Sequence, residues 1–422
     1  MKNFSTENAR HHGFEKIQGV RAVFGAALGL MGSFPAMFFS TLSVFLKPIS
    51  EEFGWGRAQT AGTTVLANLG IAVGALLVGR LIDRFGVKKV IPVCALLMAS
   101  FIATMGAIPN DPILVAALSF LIGFVGVGTT PLGYLTVLPK FFDKRLGLAF
   151  GLAMAGLGLG TVIMPMVAQK IIELQGWRTA YLVLGAVTAF VALLAHLLLF
   201  ASGNSLSFKT EPTQTRVLNE GLSLREAAMH FKFWLLLICV LAVSAAALGF
   251  SVHGVAIMTD RGLDGAVAAR VAGLAAVGVM VGRLFGGALM DVIPARIVAC
   301  GSFLLGGAGI WIFAIDTTQG ITLLTCAAFL ASFAIGAEGD FIPLAVRRYF
   351  GLKSFGAIYG ILFFAYAFGG VLGPVILGVI FDQSGDYRVV LQIYAATCFA
   401  FGLLVLVLGP YRFGTLEKVN DH

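Results

Sequence analysis

Charge is what this sequence has least of. Asp, Glu, Lys and Arg make up only 12% of its 422 residues, against roughly 25% in soluble domains, and the mean hydropathy is +0.93. A chain so poor in ionisable side chains cannot clothe an ordinary water-facing surface, which excludes a soluble globular class. Cysteine is sparse as well. The five cysteines, Cys94, Cys239, Cys300, Cys326 and Cys398, fall inside apolar runs at spacings that match no metal motif. They are expected to be small packing residues. No glycine-rich phosphate loop followed by Lys-Ser/Thr is present, so nucleotide hydrolysis of that kind is not the energy source. No nucleophile with its base and no metal-ligand cluster is present either. These absences argue against an enzyme and call for no cofactor.

What the chain has instead is apolar length. Hydrophobic residues account for 58% of it, gathered in runs of about 20 residues or more, enough to cross the hydrocarbon core of a bilayer. Twelve runs are predicted as helices, at 20–46, 59–82, 89–108, 112–138, 146–171, 179–201, 232–257, 268–290, 296–315, 320–345, 355–381 and 389–410. The first is too long for a secretory leader and lacks a cleavage site. The longest polar break, 203–230, divides the spans six and six. The expected fold is an all-α membrane protein with twelve transmembrane helices in two pseudo-symmetric six-helix bundles: an N-terminal bundle over 1–202, a central cytoplasmic loop over 203–230 and a C-terminal bundle over 231–422.

Lysine and arginine set the orientation. With both termini in the cytoplasm, segments on that side hold 20 of the 29 basic residues and the opposite side 7. The formal net charge of +8 follows from this asymmetry and calls for no nucleic acid partner. The expected setting is the lipid bilayer, the inner membrane if the cell is bacterial, and the expected state is a monomer.

The halves also repeat. A shift of 209 residues places Phe141 on Phe350, Lys144 on Lys353, Gly147 on Gly356, Gly151 on Gly360, Gly160 on Gly369 and Pro165 on Pro374. A shift of 208 pairs Gly79 with Gly287, Asp83 with Asp291 and Lys88 with Arg296. Parallel halves of this kind suit a carrier that opens one central site to each side in turn.

GRLIDRFGVKK, residues 79–89, resembles the loop 2-3 signature of the major facilitator superfamily, Gly-x-Leu-x-Asp-Arg-x-Gly-x-Lys/Arg-Lys/Arg. VFLKPISEEFGWGRAQ (44–59) and KFFDKRLGLAFGLAMAGLGLG (140–160) resemble the monocarboxylate transporter and oxalate/formate antiporter group. The resemblance implies a gating latch at the cytoplasmic helix ends, formed by Gly79, Asp83, Arg84 and Gly86 in the first half and by Asp291 and Arg296 in the second. The plainer alternative is that these charges only fix topology.

Three ionisable side chains stand out deep inside spans: Arg283, Glu338 and Asp340. Each costs about 2.5 to 3.5 kcal/mol at mid-helix on insertion scales, so each calls for a partner, a cavity or a task. Counting back from Asp291 puts Arg283 about 12 Å from its helix end. Its repeat mate is Ala75, so it is no part of the shared scaffold. A guanidinium holds a carboxylate with two parallel hydrogen bonds, and in the resembled group an arginine on this helix binds the substrate carboxylate. A structural ion pair is the competing reading. Glu338, about 13 Å from the end marked by Arg347, has Thr129 as its repeat mate and is the expected partner of Arg283. Asp340 points about 200° away from Glu338 and is the second candidate for proton coupling. Phe34, Asn68, Thr129, Tyr134, Tyr359 and Tyr366 are candidates to line the substrate site.

Departures from the group narrow the substrate. Animal monocarboxylate transporters carry a lysine where this chain has Ser40, and an aspartate where it has Val279; the oxalate/formate antiporter carries a second intramembrane lysine where it has Tyr366. One deep cation suits one carboxylate. The expected function is secondary transport of a small organic anion, a monocarboxylate with an aromatic or apolar body, together with a proton. The alternatives are a proton-driven exporter of drugs or other solutes and a carboxylate exchanger.

Overall fold

Backbone amides inside a bilayer find no water, so an apolar run must close its hydrogen bonds within a helix or a barrel. In the computed structural model it is helices. The structure describes residues 18–55, 57–142, 145–200, 221–315 and 320–413, without the side chains of 57–62. Lys144 and residues 203–220 of the polar break lie outside the described residues. Among the described residues no strand occurs, and eleven continuous stretches are long and apolar enough to cross a membrane. One of these, Leu146–Phe200, is 55 residues long, and Gly176 within it has φ 83° and ψ 165°. A residue with a Cβ would be strained there, so the stretch is two helices, and the spans number twelve.

In chain order they are α1 (Gln18–Phe53), α2 (Arg57–Phe85), α3 (Val87–Met105), α4 (Pro112–Lys140), α5 (146–175), α6 (177–200), α7 (Phe231–Asp260), α8 (Gly265–Met290), α9 (Ala295–Ile315), α10 (Ile321–Phe350), α11 (Phe355–Ser384) and α12 (Arg388–Leu408). They fall into two compact units, Met1–Glu220 and Gly221–His422.

In the first unit α1 is broken. A helix over 18–31 gives way to a π-helical turn, Pro35–Phe39, and helix resumes at Leu42–Phe53. The break frees the Phe34 N–H, which donates to the Thr129 hydroxyl at 3.0 Å. Thr129 in turn donates to the Gly126 carbonyl at 2.6 Å. Its helix, α4, is broken at the same level, passing from Pro112–Gly126 through a 3-10 turn at Val127–Thr129 to Pro131–Tyr134. The interrupted α4 thus takes up the donor freed in α1 through Thr129, whose own hydroxyl closes back onto α4.

Close backbone approach organises both units. A Cβ at Gly70 or Gly74 of α2 would strike the carbonyls of Phe120 and Phe124 in α4, and one at Gly278 or Gly282 of α8 would strike those of Phe329 and Phe333 in α10. These contacts are related by the same shifts of 208 and 209 residues that the sequence displays. Small residues that let helices touch are the usual adhesive where lipid removes the hydrophobic drive.

Residues 221–230, within the expected central loop, are built onto the second unit. Ser223 caps a short helix, Leu224–Ala228, through a capping box: its hydroxyl accepts from Glu226 N–H at 3.3 Å, and the Glu226 carboxylate accepts from Ser223 N–H at 2.6 Å. The Leu222 N–H donates to the Phe350 carbonyl at 2.8 Å, and Lys353 lies 3.7 Å from Glu226. The Ser223 bonds, with Lys353 adding to them, hold the Glu226 carboxyl below the usual glutamate range.

The α8–α10 contact gives a paired test. Gly282→Ala adds a methyl against the Phe333 carbonyl and is expected to cost about 1–3 kcal/mol. Gly273→Ala, on the same helix with open space around it, is expected to stabilise by up to about 1 kcal/mol. Thermal unfolding of the purified variants in detergent reads both.

Candidate functional site

Gly278, Gly282 and Gly286 form a stripe along α8 that lies against α10, and Gly336 of α10 meets α8 in return, at the Val279 carbonyl and the Arg283 backbone nitrogen. Arg283 is therefore anchored by one of the tightest backbone contacts in the second unit. That explains why an arginine sits inside VGVMVGRLFGGALMD: its neighbours are small so that α10 can come close.

Across that contact Arg283 lies in electrostatic range of Asp340 on α10 and of Tyr359 and Tyr366 on α11. Its Nη1 is buried and has no hydrogen-bond partner in the protein, and neither does either carboxylate oxygen of Asp340. The groups are close enough to feel each other's charge without forming the bidentate pair that a structural salt bridge would show. The two tyrosines belong to an aromatic row on α11. Ring centroids are 5.8 Å apart from Phe355 to Tyr359, 5.9 Å from Tyr359 to Phe363 and 5.9 Å from Phe363 to Tyr366.

Glu338 touches this group only through Tyr366. The expected Arg283–Glu338 pair is replaced by Arg283 and Asp340, because the 100° step of a helix sends residue 340 toward α8 and residue 338 away from it. Glu338 is fully buried, with both oxygens unpartnered, and its titratable neighbours are Cys239 of α7, Tyr366 of α11 and Cys398 of α12.

The remaining lining candidates lie in the first unit. Thr129 bridges the breaks in α1 and α4, so its hydroxyl is committed to the backbone. Phe34, beside that bridge, is buried among Phe38 and Phe39 at 5.8 and 6.4 Å. Tyr134 is buried with its ring against Gly29 of α1, and Asn68 on α2 is half-buried.

Of the gating candidates, Gly79 is buried and Gly86 turns the chain from α2 into α3 with φ 81°. Asp83 lies in electrostatic range of Lys140 at the end of α4, within its own unit. Arg84 stacks its guanidinium 5.1 Å from the Phe85 ring. Asp291 caps the end of α8, and Arg296 lies in range of Tyr349 and Tyr411. There Tyr411 accepts a hydrogen bond from the Ala295 N–H, and the Tyr349 hydroxyl donates to the Gly409 carbonyl at 2.9 Å. Lys140 opens the 140–160 stretch but is not among the gating candidates; its spacing from Asp83 carries no signal of the contact. A second missed cluster ties α1 to α6, where Glu52 accepts from the Trp177 indole at 2.6 Å and from Arg178 at 2.5 Å. The paired Gly-Trp dipeptides at 54–55 and 176–177 were its only trace.

Helices long and apolar enough to cross a membrane, repeated in two units, define an integral membrane protein. A profile of the Major Facilitator Superfamily matches residues 28–344, and the chain belongs to that superfamily. It is 30% identical over 383 residues to monocarboxylate transporter 11 of Mus musculus, covering 87% of this chain and 80% of that protein. It is 25% identical over 345 residues to YhjX, an uncharacterised transporter of the superfamily from Escherichia coli K12, covering 78% and 81%. Among solved structures, the E. coli fucose:proton symporter FucP aligns with a TM-score of 0.68 at 14% identity, covering 93% of this chain and 98% of that one. At that identity the likeness speaks for the fold.

Thr129→Val is expected to leave the Phe34 N–H unpaired and to cost about 1–3 kcal/mol of stability. Thermal unfolding reads the loss, and the ratio of uptake rates among substrates should stay unchanged.

Proposed function

We propose that this transporter carries a small organic monocarboxylate across the membrane together with a proton, by alternating access, and that Arg283 binds the carboxylate. One observation carries the reading: a guanidinium about two turns inside a span, with Nη1 buried and free of hydrogen bonds, in range of one carboxylate and two tyrosines. A charge kept there without a hydrogen-bonded partner is held for a ligand. A carboxylate would take two parallel bonds from the guanidinium, and Tyr359 and Tyr366 would present rings to its apolar body and hydroxyls to its oxygens. The kinship with monocarboxylate transporters supports the same substrate class.

The acidic residues of α10 supply the exchangeable charge that a proton-linked cycle needs. Asp83 with Lys140 in the first unit, and Asp291 with Arg296 in the second, serve as gating elements. The lysine and arginine distribution supports cytoplasmic termini.

The test is uptake of a labelled panel (pyruvate, lactate, benzoate and phenylpyruvate) by the purified protein in proteoliposomes. Arg283→Ala is expected to lower uptake of the accepted carboxylate by about 100-fold or more, the effect of losing two charge-assisted hydrogen bonds. Arg283→Lys, which keeps the charge and loses the fork, should fall between. Wild-type rates in the alanine variant would remove Arg283 from the substrate site.

A further inference from the structure

Glu338 and Asp340 lie two residues apart on α10 and leave the helix about 200° apart. Asp340 falls on the stripe that faces α8. The Phe333 carbonyl meets Gly282 there, Gly336 meets Val279 and Arg283, and Ala337 meets Gly286. Glu338 falls on another stripe, with Ala327, Ala331 and Ala334, which meets Gly309 and Gly306 of α9. Phe341, on the same side, meets Phe303 of α9 edge-on at 6.2 Å.

The titratable groups around Glu338 are Cys239 from α7, Tyr366 from α11 and Cys398 from α12. From α8, Arg283 ranges to Asp340 instead. The arginine of α9, Arg296, lies at that helix's first turn beside Tyr349 and Tyr411. Among the described residues no cation acts on Glu338, and both of its oxygens are buried without a hydrogen-bond partner. Its repeat mate Thr129 has its hydroxyl engaged by two backbone groups, so the carboxyl is not a scaffold feature shared by the halves.

From this juxtaposition we propose that the transporter holds its coupled proton on Glu338, on a face of α10 that meets the carboxylate clamp only through Tyr366, while Asp340 is the counter-charge that the substrate anion displaces from Arg283. The proposal rests on the reading of the chain as a proton-linked carboxylate carrier. In surroundings of alanine, glycine, phenylalanine and cysteine, with Tyr366 the one polar ring in range and not hydrogen-bonded to it, an unpaired anion is far more costly than a neutral acid. Glu338 therefore enters this arrangement with its proton and passes it to water when the second unit rearranges to admit water to the carboxyl. A group whose protonation is tied to one conformation couples a proton gradient to the exchange of conformations. Asp340 differs in having a guanidinium beside it, so its charge is balanced until a substrate carboxylate takes its place.

Full-length protein in proteoliposomes separates the two roles, with labelled pyruvate and benzoate as probes. Counterflow at equal pH measures carboxylate movement alone, and accumulation driven by an inward proton gradient measures coupling. Glu338→Gln is expected to keep counterflow within about two-fold of wild type and to lose gradient-driven accumulation; Asp340→Asn is expected to keep accumulation and to lower KM by roughly five-fold. Glu338→Asp, one methylene shorter, should restore part of the accumulation, which a purely structural glutamate would not require. The assignment is overturned if Glu338→Gln still accumulates substrate, or if Asp340→Asn alone abolishes coupling. It is also overturned if Glu338→Gln loses counterflow while Glu338→Asp keeps both activities, since Glu338 would then be needed for carboxylate movement itself. Absence of carboxylate counterflow in the wild type would instead overturn the carboxylate reading, and this assignment with it.

Discussion

The contact of α8 with α10, backbone against backbone, is the constraint on which the second unit depends. Glycines at 278, 282 and 286 bring the helices so close that a methyl group would collide with the Phe329 and Phe333 carbonyls at the first two of these positions. In lipid, apolar side chains gain little by meeting one another, so affinity between helices comes from contact made possible by small residues. Once that contact is fixed, the azimuth of every other α10 residue is fixed with it. Asp340 must point toward α8, and Glu338 must point toward α9. The electrostatics of the site are thus set by glycine spacing rather than by attraction between the charges themselves.

The same contact exists in the first unit, with Gly70 and Gly74 against Phe120 and Phe124, yet nothing there is charged. Ala75 stands at the position of Arg283 and Thr129 at that of Glu338. Duplicated architecture with unlike occupants separates what the fold needs from what has been added to it. The glycines and the phenylalanine carbonyls recur, so they belong to the scaffold. The arginine and the two carboxylates do not recur; Glu338 and Asp340 carry the cost of full burial without hydrogen-bonded partners, and half-buried Arg283 carries it at Nη1.

Twelve spans, their rough limits and the internal repeat were legible in the sequence because bilayer thickness translates directly into run length. Helix interruptions were not. Pro35 and Pro131 hinted at the breaks in α1 and α4, but Pro343 lies inside α10 without dividing it, so proline alone does not decide. What decides is whether a neighbouring group takes up the freed backbone donor, as Thr129 does for Phe34, and that is a tertiary fact. Arg283 was singled out by depth and asymmetry, both readable along one chain. Which carboxylate of α10 lies in its electrostatic range was not readable, because Glu338 and Asp340 are nearly equal in depth and differ only in azimuth. Azimuth matters only once the positions of α8 and α9 around α10 are known. Residues 221–230 escaped notice for a related reason: a five-residue helix with a capping box is too short and polar for a membrane-length pattern to reveal.

The distribution of unsatisfied groups sharpens the physical picture. In the first unit a hydroxyl at 129 stitches two broken helices, and its hydrogen bonds go to backbone within a few ångströms. In the second unit α10 is continuous; Pro343 leaves the Gly339 carbonyl without its helical N–H, yet neither oxygen of Glu338 is hydrogen-bonded to anything. A polar residue at 338 is then free of structural duty, and burying a carboxyl there brings only cost in the arrangement observed. Cost in one conformation is the requirement for sensitivity between conformations: a group equally content in all of them could not bias their populations. Corresponding positions of the two halves thus differ in what they do: the hydroxyl at 129 holds the first unit's broken helices together, whereas the carboxyl at 338 has no such bond, which is what the proposed proton-holding role requires.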